Sequence, residues 1–291
     1  MASLVRRIQD YYNWTLTLTD PRSKGWLLVD SPWPTLFGIS GYLLMVWLGP
    51  KFMKNRKPLK LNKLLVVYNL AMAVLNFYIF WQLATASLRL NYSIFCEPCR
   101  QVWTPNEMQI VKAVWWYYFS KLLEFSDTLF FILRKKDNQL SFLHIYHHST
   151  MFGFWWIGVK WVPSGSTAMP AIVNSFIHVL MYTYYGLSAI GPHMNKYLWW
   201  KRYLTIIQLI QFAGALILGF NGLRIDCDFP LWMQYTLCGY MVSFLVLFGR
   251  FYVNEYIEDH KKRQKEKLLS NNNNVDTIKN KNFTLNGKKH E

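Results

Sequence analysis

Seven long, mostly apolar stretches follow one another along the chain, separated by short polar segments. Each is long enough to cross the hydrocarbon core of a bilayer, which takes about 20 helical residues. Because a spanning segment has to satisfy its backbone hydrogen bonds internally, we predict that all seven are α-helices. The predicted spans are residues 32–50, 64–86, 111–133, 141–162, 168–190, 203–221 and 229–256.

Basic residues recur in every second connection between these stretches. They follow the first span (51–63), the third span (134–136) and the fifth span (196–202), and they return in the C-terminal tail. The alternate connections are poorer in Lys and Arg. Since cytosolic loops of membrane proteins are enriched in these residues, the pattern predicts a lumenal N-terminus and a cytosolic C-terminus.

Composition agrees with a membrane protein. The chain has 291 residues, 52% of them hydrophobic, and yet a formal net charge of +16. Strong apolarity with basic loops is typical of a polytopic membrane protein, so we expect no nucleic-acid partner. We divide the chain into a lumenal segment (1–31), a seven-helix membrane domain (32–258) and a disordered basic tail (259–291). The first part has no apolar core, so no cleavable signal peptide is expected.

Several features suit an endoplasmic reticulum protein of this orientation. Asn13 and Asn91 begin N-glycosylation triplets on the predicted lumenal side. Three of the four cysteines lie in the predicted lumenal loops, where the setting is oxidising. A disulfide from Cys227 to either Cys96 or Cys99 is expected, with free thiols as the alternative. The chain ends in "KKHE", which resembles a dilysine signal for return to the endoplasmic reticulum.

Four predicted spans carry polar side chains along one helical face. Charged groups in mid-membrane cost about 2.5–3.5 kcal/mol each, so they normally face an internal cavity. At about 100° per residue, each group falls on one side of its helix. The residues are Lys121, Glu124, Asp127 and Thr128 in the third span, His144, His147 and His148 in the fourth, Asn174, His178, Tyr182 and Tyr185 in the fifth, and Thr205, Gln208 and Gln211 in the sixth.

Some of these residues have simpler explanations. A Gln or Thr in a membrane helix often only holds two helices together, which suits Thr205 and Gln211. Lys121 and Glu124 can form a structural ion pair, and the tyrosines can be ordinary packing. Three histidines within five residues are much harder to explain by packing. We therefore expect the fourth span to carry the chemistry.

Three classes of function fit a membrane protein with such a cluster. Di-iron oxygenases use a similar histidine box, but they need more histidines than the four in these spans. A single metal held by three histidines and a carboxylate is a narrower version of that hypothesis. A seven-helix receptor or transporter fits the topology, but no "DRY"-like or "NPxxY"-like stretch is present. The third class is acyl transfer with a histidine as base or nucleophile, since a buried neutral imidazole can attack a thioester.

Four sequence motifs resemble those of a known family and favour the third class, acyl transfer. The segments "KLLEFSDT", "HIYHH", "NSFIHVLMYTYY" and "TIIQLIQ" occur in an order and spacing similar to the family of very-long-chain fatty acid elongases, the 3-oxoacyl-CoA synthases of the endoplasmic reticulum. The resemblance extends from residue 25 to residue 256. Gln139 and Tyr146 are more similar to the branches that extend polyunsaturated and very-long chains than to those that extend palmitate.

The resemblance implies an all-α integral membrane protein with seven transmembrane helices, six of them around a narrow substrate tunnel. It implies condensation of malonyl-CoA with a long or very-long acyl-CoA, giving 3-oxoacyl-CoA, CO2 and CoA, with no metal or redox cofactor. His147 would take the acyl group, and His178 would stabilise the malonyl enolate. The side chains expected to orient these imidazoles are His144, His148, Glu124, Asp127 and Asn174.

The same resemblance suggests where substrates and partners bind. Inside the tunnel we expect substrate contacts from Lys121, Tyr182, Tyr185, Gln208 and Gln211. At the cytosolic mouth the CoA phosphates would meet Arg134, Lys135, Lys136, Lys201 and Arg202. The alternative is that these basic residues only set the topology. Expected partners are membrane lipid, the reductase, dehydratase and enoyl reductase of the elongation cycle, and other elongase chains.

Overall fold

The computed structural model describes residues 2–258, with side-chain burial from residue 4. Over these residues every regular element is helical. The helices are α1 (Ala2–Thr17), α2 (Trp33–Met53), α3 (Asn62–Arg89), α4 (Pro105–Leu123), α5 (Phe125–Leu133), α6 (Phe142–Trp161), α7 (Ala168–Ile190), α8 (Lys201–Arg224) and α9 (Leu231–Tyr252), and a π-helical turn follows at Val253–Glu258. The predicted tail, with its terminal lysines, lies outside the described residues.

The chain divides into two compact units, residues 1–242 and 243–291. The first unit contains α1 to α8 and the first part of α9. In the second unit, the described residues are the last part of α9 and the π-helical turn. Every site discussed below belongs to the first unit.

Each predicted span coincides with a helix or a pair of helices. Four of them are long and apolar enough to cross a membrane by composition alone: α2, α3, α8 and α9 with its π-helical turn. The other predicted spans carry the polar residues, which lower their hydropathy. The protein is therefore an all-helical, multi-pass membrane protein, and seven as the number of spanning helices stays a prediction.

The third predicted span differs from expectation because it is two helices. A single helix over 111–133 is wrong at Glu124, where α4 ends and α5 begins. The Asp127 N–H donates to the Glu124 carbonyl at 3.1 Å, which is the tighter three-residue spacing of a 3₁₀ turn. The N-terminal segment also differs from expectation. Residues 1–31 were predicted only as a lumenal segment, but the structure has helix α1 there.

Helix packing in the first unit brings the polar spans together. Helix α3 packs along α7 and against α4, α6 packs against both α4 and α2, and α8 packs against α7. The outer side of α3 shows an apolar stripe of exposed residues: Val67, Leu70, Val74, Phe77 and Trp81. A polar interior with an exposed apolar stripe is the arrangement expected of a helix that borders lipid.

The two ends of this helical assembly are fixed differently. At the end we call the basic-loop end, the Leu59 N–H donates to the Leu133 carbonyl at 2.9 Å, and Lys135 Nζ donates to the Lys54 carbonyl at 2.8 Å. At the opposite end, the disulfide end, Cys96 is joined to Cys227. Of the two pairings that the sequence left open, this is the one in the structure.

A buried ion cluster stabilises the disulfide end. Arg22 donates to both carboxylate oxygens of Asp20 at 2.7–3.2 Å and to Ser164 Oγ at 2.8 Å. It also reaches Glu107 at 3.4 Å, and Tyr92 donates to the other oxygen of Glu107 at 2.8 Å. We call these five residues the arginine cluster. It links the N-terminal segment to the first turn of α4 and to the loop that follows α6. Its most distant pair, Arg22 and Ser164, is 142 positions apart in the sequence.

Gly165 allows the loop beside this cluster to pack closely. Its φ of +69° is in the left-handed region, and an added Cβ would lie 2.7 Å from the carbonyl oxygens of Glu97 and Pro98. No other residue fits such a position without backbone movement. The neighbouring Ser166 N–H donates to the Glu97 carbonyl at 2.8 Å, so the loop before α7 is held against the loop that carries Cys96.

Candidate active site

Helix α6 presents the three histidines to the interior from its first turns. The helix begins after Ser141, whose hydroxyl accepts from the His144 N–H at 3.2 Å, as an N-cap residue does. His144 Nε2 lies 2.7 Å from Thr128 Oγ1, and Thr128 in turn lies 3.1 Å from the Tyr42 hydroxyl. His144 is thus held by α5 and α2, which suits an orienting residue.

Glu124 is the centre of the polar site. It is fully buried, with 0% of its surface exposed, at the break between α4 and α5. Lys121 Nζ donates to its Oε1 atom at 2.7 Å, and His178 Nδ1 lies 3.4 Å from the same oxygen. Its second oxygen, Oε2, lies 4.0 Å from His148 Nδ1. One carboxylate therefore meets groups from α4, α6 and α7.

His147 completes this group. One side-chain donor atom each of Glu124, His147 and His178 lies within 4.8 Å of the other two. Together with Lys121 and His148 these residues form what we call the histidine cluster. The structure therefore brings together two residues that the sequence placed on α6, one from α7 and two from the α4–α5 break.

A second layer of contacts supports the cluster. The Tyr117 hydroxyl donates to Asn174 Oδ1, and Lys121 Nζ lies 4.4 Å above the Tyr117 ring. The Tyr182 hydroxyl donates to Asp127 Oδ2 at 2.8 Å. Asn174 and Asp127 thus each bind a buried tyrosine beside the cluster.

Sequence reasoning missed Tyr117 and Tyr42. Both are buried; Tyr117 binds the predicted site residue Asn174, and Tyr42 binds Thr128, which in turn contacts His144. Tyr117 lies in the run "VWWYYF", where the buried tyrosines stand between half-buried aromatic residues without a sequence signal that separates them. Its position four residues before Lys121, on the same face of α4, was the one available indication.

Buried polar atoms of the histidine cluster that lack a hydrogen-bond partner among the described residues include Glu124 Oε2 and His148 Nδ1. Buried polar atoms in native proteins are usually paired, and exceptions tend to mark functional sites. These atoms are available to a substrate that enters the cluster.

The remaining predicted site residues are more exposed than Glu124. Tyr185 is 47% exposed, and Gln208 and Gln211 are half-buried on α8. Of the basic residues, Arg134 and Lys135 are half-buried, while Lys136, Lys201 and Arg202 are exposed. The two glycosylation candidates, Asn13 and Asn91, are also exposed.

The donor set of Glu124, His147 and His178 could hold a metal ion. Two imidazoles and one carboxylate with an open position are typical of catalytic zinc sites. Zinc–ligand distances of about 2.0–2.2 Å place any two ligand atoms of one ion no more than about 4.4 Å apart. The three atoms lie within 4.8 Å of one another, so a pair at that limit would have to move closer together. In addition, the Lys121 ammonium already lies against Glu124 and opposes a second cation. The geometry therefore fits an ion pair with two adjacent imidazoles better than a metal centre.

Comparison with known proteins agrees with the motifs. The chain is 50% identical over 252 residues to very long chain fatty acid elongase 4 of Homo sapiens, which is 87% of this chain and 80% of that protein. It is 46% identical over 266 residues to very long chain fatty acid elongase 5 of Rattus norvegicus, covering 91% of this chain and 88% of that protein. Both alignments span most of the chain.

A family match covers the same part of the molecule. Residues 27–264 match the family described as ELO, GNS1/SUR4. This range contains α2 to α9 and all residues of the histidine cluster. With the two relatives above, it shows that the chain belongs to the ELO (GNS1/SUR4) family, together with the very long chain fatty acid elongases.

Proposed function

We propose that this protein condenses malonyl-CoA with a long-chain or very-long-chain acyl-CoA. The products are a 3-oxoacyl-CoA two carbons longer, CO2 and CoA, which makes the enzyme a very-long-chain 3-oxoacyl-CoA synthase. The observation that carries the proposal is the placement of His147 and His178 around one buried carboxylate, Glu124. Family membership supports the elongation of fatty acids, and the chemistry below is argued from this placement.

A histidine is the best candidate nucleophile in this chain. Cysteine serves in many acyl transferases, but the four cysteines lie elsewhere. Cys96 and Cys227 are joined, Cys99 lies beside Ser164 at the disulfide end, and Cys238 lies on α9. An imidazole can attack a thioester when a neighbouring group orients it and takes its proton.

In the first step, an imidazole nitrogen of His147 attacks the thioester carbonyl of acyl-CoA. A C–N bond forms, the C–S bond breaks, and the imidazole proton passes to the departing CoA sulfur. This leaves a neutral acyl-imidazole on His147 and free CoA. His144 and His148 flank the nucleophile on the same helix, with the His147 and His148 ring centres 5.2 Å apart, and they hold it in place.

In the second step, malonyl-CoA loses CO2 and forms an enolate. The enolate carbon attacks the acyl carbon, the C–N bond to His147 breaks, and the imidazole regains a proton from solution. His178 lies close enough to His147 to contact the enolate oxygen, and Glu124 fixes its Nδ1 side. Lys121 holds Glu124 in position, since the carboxylate and ammonium are 2.7 Å apart.

The rest of the proposal concerns substrate entry and cellular setting. The histidine cluster would lie at the polar end of a tunnel formed by six of seven membrane helices. Basic residues at the basic-loop end would bind the CoA phosphates. We place the protein in the endoplasmic reticulum membrane with its N-terminus in the lumen. There its product would pass to the reductase, dehydratase and enoyl reductase that complete a cycle of elongation, in association with other elongase chains.

A condensation assay tests the reaction. Purified protein in detergent receives labelled malonyl-CoA and a series of acyl-CoAs, without metal or NADPH. We expect a labelled 3-oxoacyl-CoA, and its yield across the series gives the chain-length preference. A folded protein that forms no product from any acceptor would overturn the proposal.

Intact-protein mass spectrometry tests the covalent step. With acyl-CoA alone and rapid quenching, we expect a mass increase of one acyl group. The increase should be lost in His147→Ala and kept in His193→Ala, a matched control because His193 is exposed in the loop after α7. An adduct that survives in His147→Ala would exclude His147 as the acyl carrier.

The metal hypothesis is the second candidate, favoured by the grouping of Glu124, His147 and His178. It predicts stoichiometric metal in the purified protein and loss of condensation after chelation. The acyl-histidine proposal predicts unchanged rates in EDTA. Elemental analysis beside a chelation series therefore decides between the two.

A further inference from the structure

Helix α1 has an apolar face with no partner in the structure. The apolar and aromatic residues along it are exposed, with Leu4 at 61%, Ile8 at 60% and Tyr11 at 66%. A soluble helix that showed such a face to water would lose the stabilisation that burial of apolar surface normally brings. The face therefore needs a covering that the described residues do not supply.

Most residues of α1 separate into two faces. At about 100° per residue, Leu4, Ile8, Tyr11 and Tyr12 fall with Val5 within an arc of about 120°. The opposite arc holds Trp14 and the charged and amide side chains, which are Arg6, Arg7, Gln9, Asp10 and Asn13. This division is the signature of an amphipathic helix, whose two faces meet different environments.

Length and charge exclude a membrane-spanning role for α1. With 16 residues it is about 24 Å long, which is shorter than the hydrocarbon core. It also carries two arginines and an aspartate, which are costly inside a bilayer. One face of α1 is too apolar for water, and the helix is too short and too charged to span the bilayer. Such a helix is expected at the interface between water and the hydrocarbon core.

Contacts at the C-terminal end of α1 place it at that interface. Trp161 Nε1 donates to the Thr15 carbonyl at 2.8 Å, and the Asp20 N–H donates to the Lys160 carbonyl at 2.9 Å. Lys160 and Trp161 are the last residues of α6, a 20-residue helix in the membrane domain. Because α6 ends here, the end of α1 is fixed at the level where the membrane helices leave the bilayer.

We propose that α1 lies in the plane of the membrane, with Leu4, Val5, Ile8 and Tyr12 in the lipid of the leaflet at the disulfide end. The occupant of the apolar face is lipid because the helix ends against the end of α6, at the level where this membrane helix leaves the bilayer. Trp14 and the tyrosines suit the headgroup region, where aromatic rings with a polar tip concentrate. Arg7 lies at the edge of the apolar arc, within reach of lipid phosphates.

The test uses the full chain in nanodiscs of phosphatidylcholine and phosphatidylethanolamine. A nitroxide is attached at Ile8→Cys or, as a matched control on the polar face, at Gln9→Cys, in a background of Cys99→Ser and Cys238→Ala with the disulfide retained. Power-saturation spectroscopy measures access to oxygen, which concentrates in lipid, and to a nickel chelate, which stays in water. We expect the ratio of oxygen to nickel access to be several-fold higher at position 8 than at position 9.

Two results would overturn the proposal. Equal nickel access at both positions would show that α1 stands free in water. Protection of position 8 from both reagents would show a protein partner, such as a second copy of the chain, in place of lipid. Ile8→Glu and Gln9→Glu, each with the nitroxide at Leu4→Cys, give an independent check, since only the first should raise nickel access at position 4.

Discussion

This membrane protein has two buried charged clusters, one at the disulfide end and one around Glu124 at the α4–α5 break, and they differ in how completely their hydrogen bonds are made. In the arginine cluster, Arg22 bonds Asp20 with two nitrogens and also reaches Ser164 and Glu107. In the histidine cluster, Glu124 is just as buried, but its Oε2 atom and the Nδ1 atom of the neighbouring His148 have no hydrogen-bond partner among the described residues.

The difference separates a structural role from a reactive one. A fully bonded buried network rigidifies the protein and offers nothing to a ligand. A network that leaves buried atoms unpaired stays unfavourable until something binds there. Burial and charge alone would have given the two clusters the same interpretation. The predictions below test whether the arginine cluster affects stability alone and the histidine cluster affects catalysis.

The largest effect is expected for His147→Ala. Removal of a covalent nucleophile should lower the condensation rate by about 10³-fold or more, because no other group can carry the acyl chain. The initial rate with malonyl-CoA and acyl-CoA measures this. The thermal midpoint in detergent should stay close to that of His193→Ala. A rate within tenfold of the parent would remove His147 from the covalent role.

Arg22→Met should show the opposite behaviour. It leaves Asp20 and Glu107 buried without their cation, which typically destabilises a protein by about 3–5 kcal/mol. The midpoint temperature of thermal unfolding in detergent should fall strongly. At low temperature, the molecules that remain folded should keep the condensation rate of the parent protein. Arg89→Met is the control, because Arg89 is exposed at the same end. Loss of the rate without loss of stability would contradict a structural role.

Glu124→Gln should affect both properties. Weaker orientation of His178 should lower kcat by about 10–100-fold, as changes to groups that orient a reactive imidazole do. The substitution also leaves the Lys121 ammonium buried without its partner, so stability should fall. The double variant Lys121→Met with Glu124→Leu should regain stability but not the rate. If that variant recovered the condensation rate, the ion pair would have a structural role only.

Charge reversal at the basic-loop end should have a smaller effect. Lys136→Glu is expected to raise the KM for acyl-CoA a few-fold with little change in kcat, because an exposed charge acts by weak, screened attraction. Lys24→Glu makes the same charge change on an exposed residue of the disulfide end. Equal KM values for the two variants would mean that these lysines only set the topology.

The smallest effect concerns pH at the disulfide end. Burial raises the pKa of the Cys99 thiol above its ordinary value, although hydrogen bonds to Ser164 oppose the shift. A group with a raised pKa in the folded state contributes stability at low pH and loses it as pH rises. Thermal midpoints should therefore fall above about pH 8.5, the ordinary range for a thiol. Cys99→Ser should show a flatter profile, and identical profiles would exclude this titration as the cause.

Sequence patterns predicted the local features of this protein well. Apolar stretches located α2, α3, α8 and α9, and the motif residues His147, His178 and Glu124 do come together. Periodicity works here because a helix in lipid repeats every 3.6 residues, whatever its neighbours are.

The features that the sequence did not predict depend on distant contacts. Arg22 had no visible role because its partners lie as many as 142 residues away. Tyr117 was indistinguishable from the aromatic residues around it. The break at Glu124 was hidden because its neighbours are ordinary helix-forming residues, and only the contact with Lys121 and His178 explains its position.

The Cys96–Cys227 bond also determines how the chain responds to cleavage. It closes a ring across 131 positions, and this ring contains the entire histidine cluster. A protease cut in the exposed turn around Asp137 would leave two fragments covalently joined until a reductant is added. A cut at Lys57, outside the ring, would release the first fragment from the covalent molecule at once. A single cleavage of the backbone between the two cysteines therefore leaves all the proposed catalytic residues in one disulfide-linked molecule.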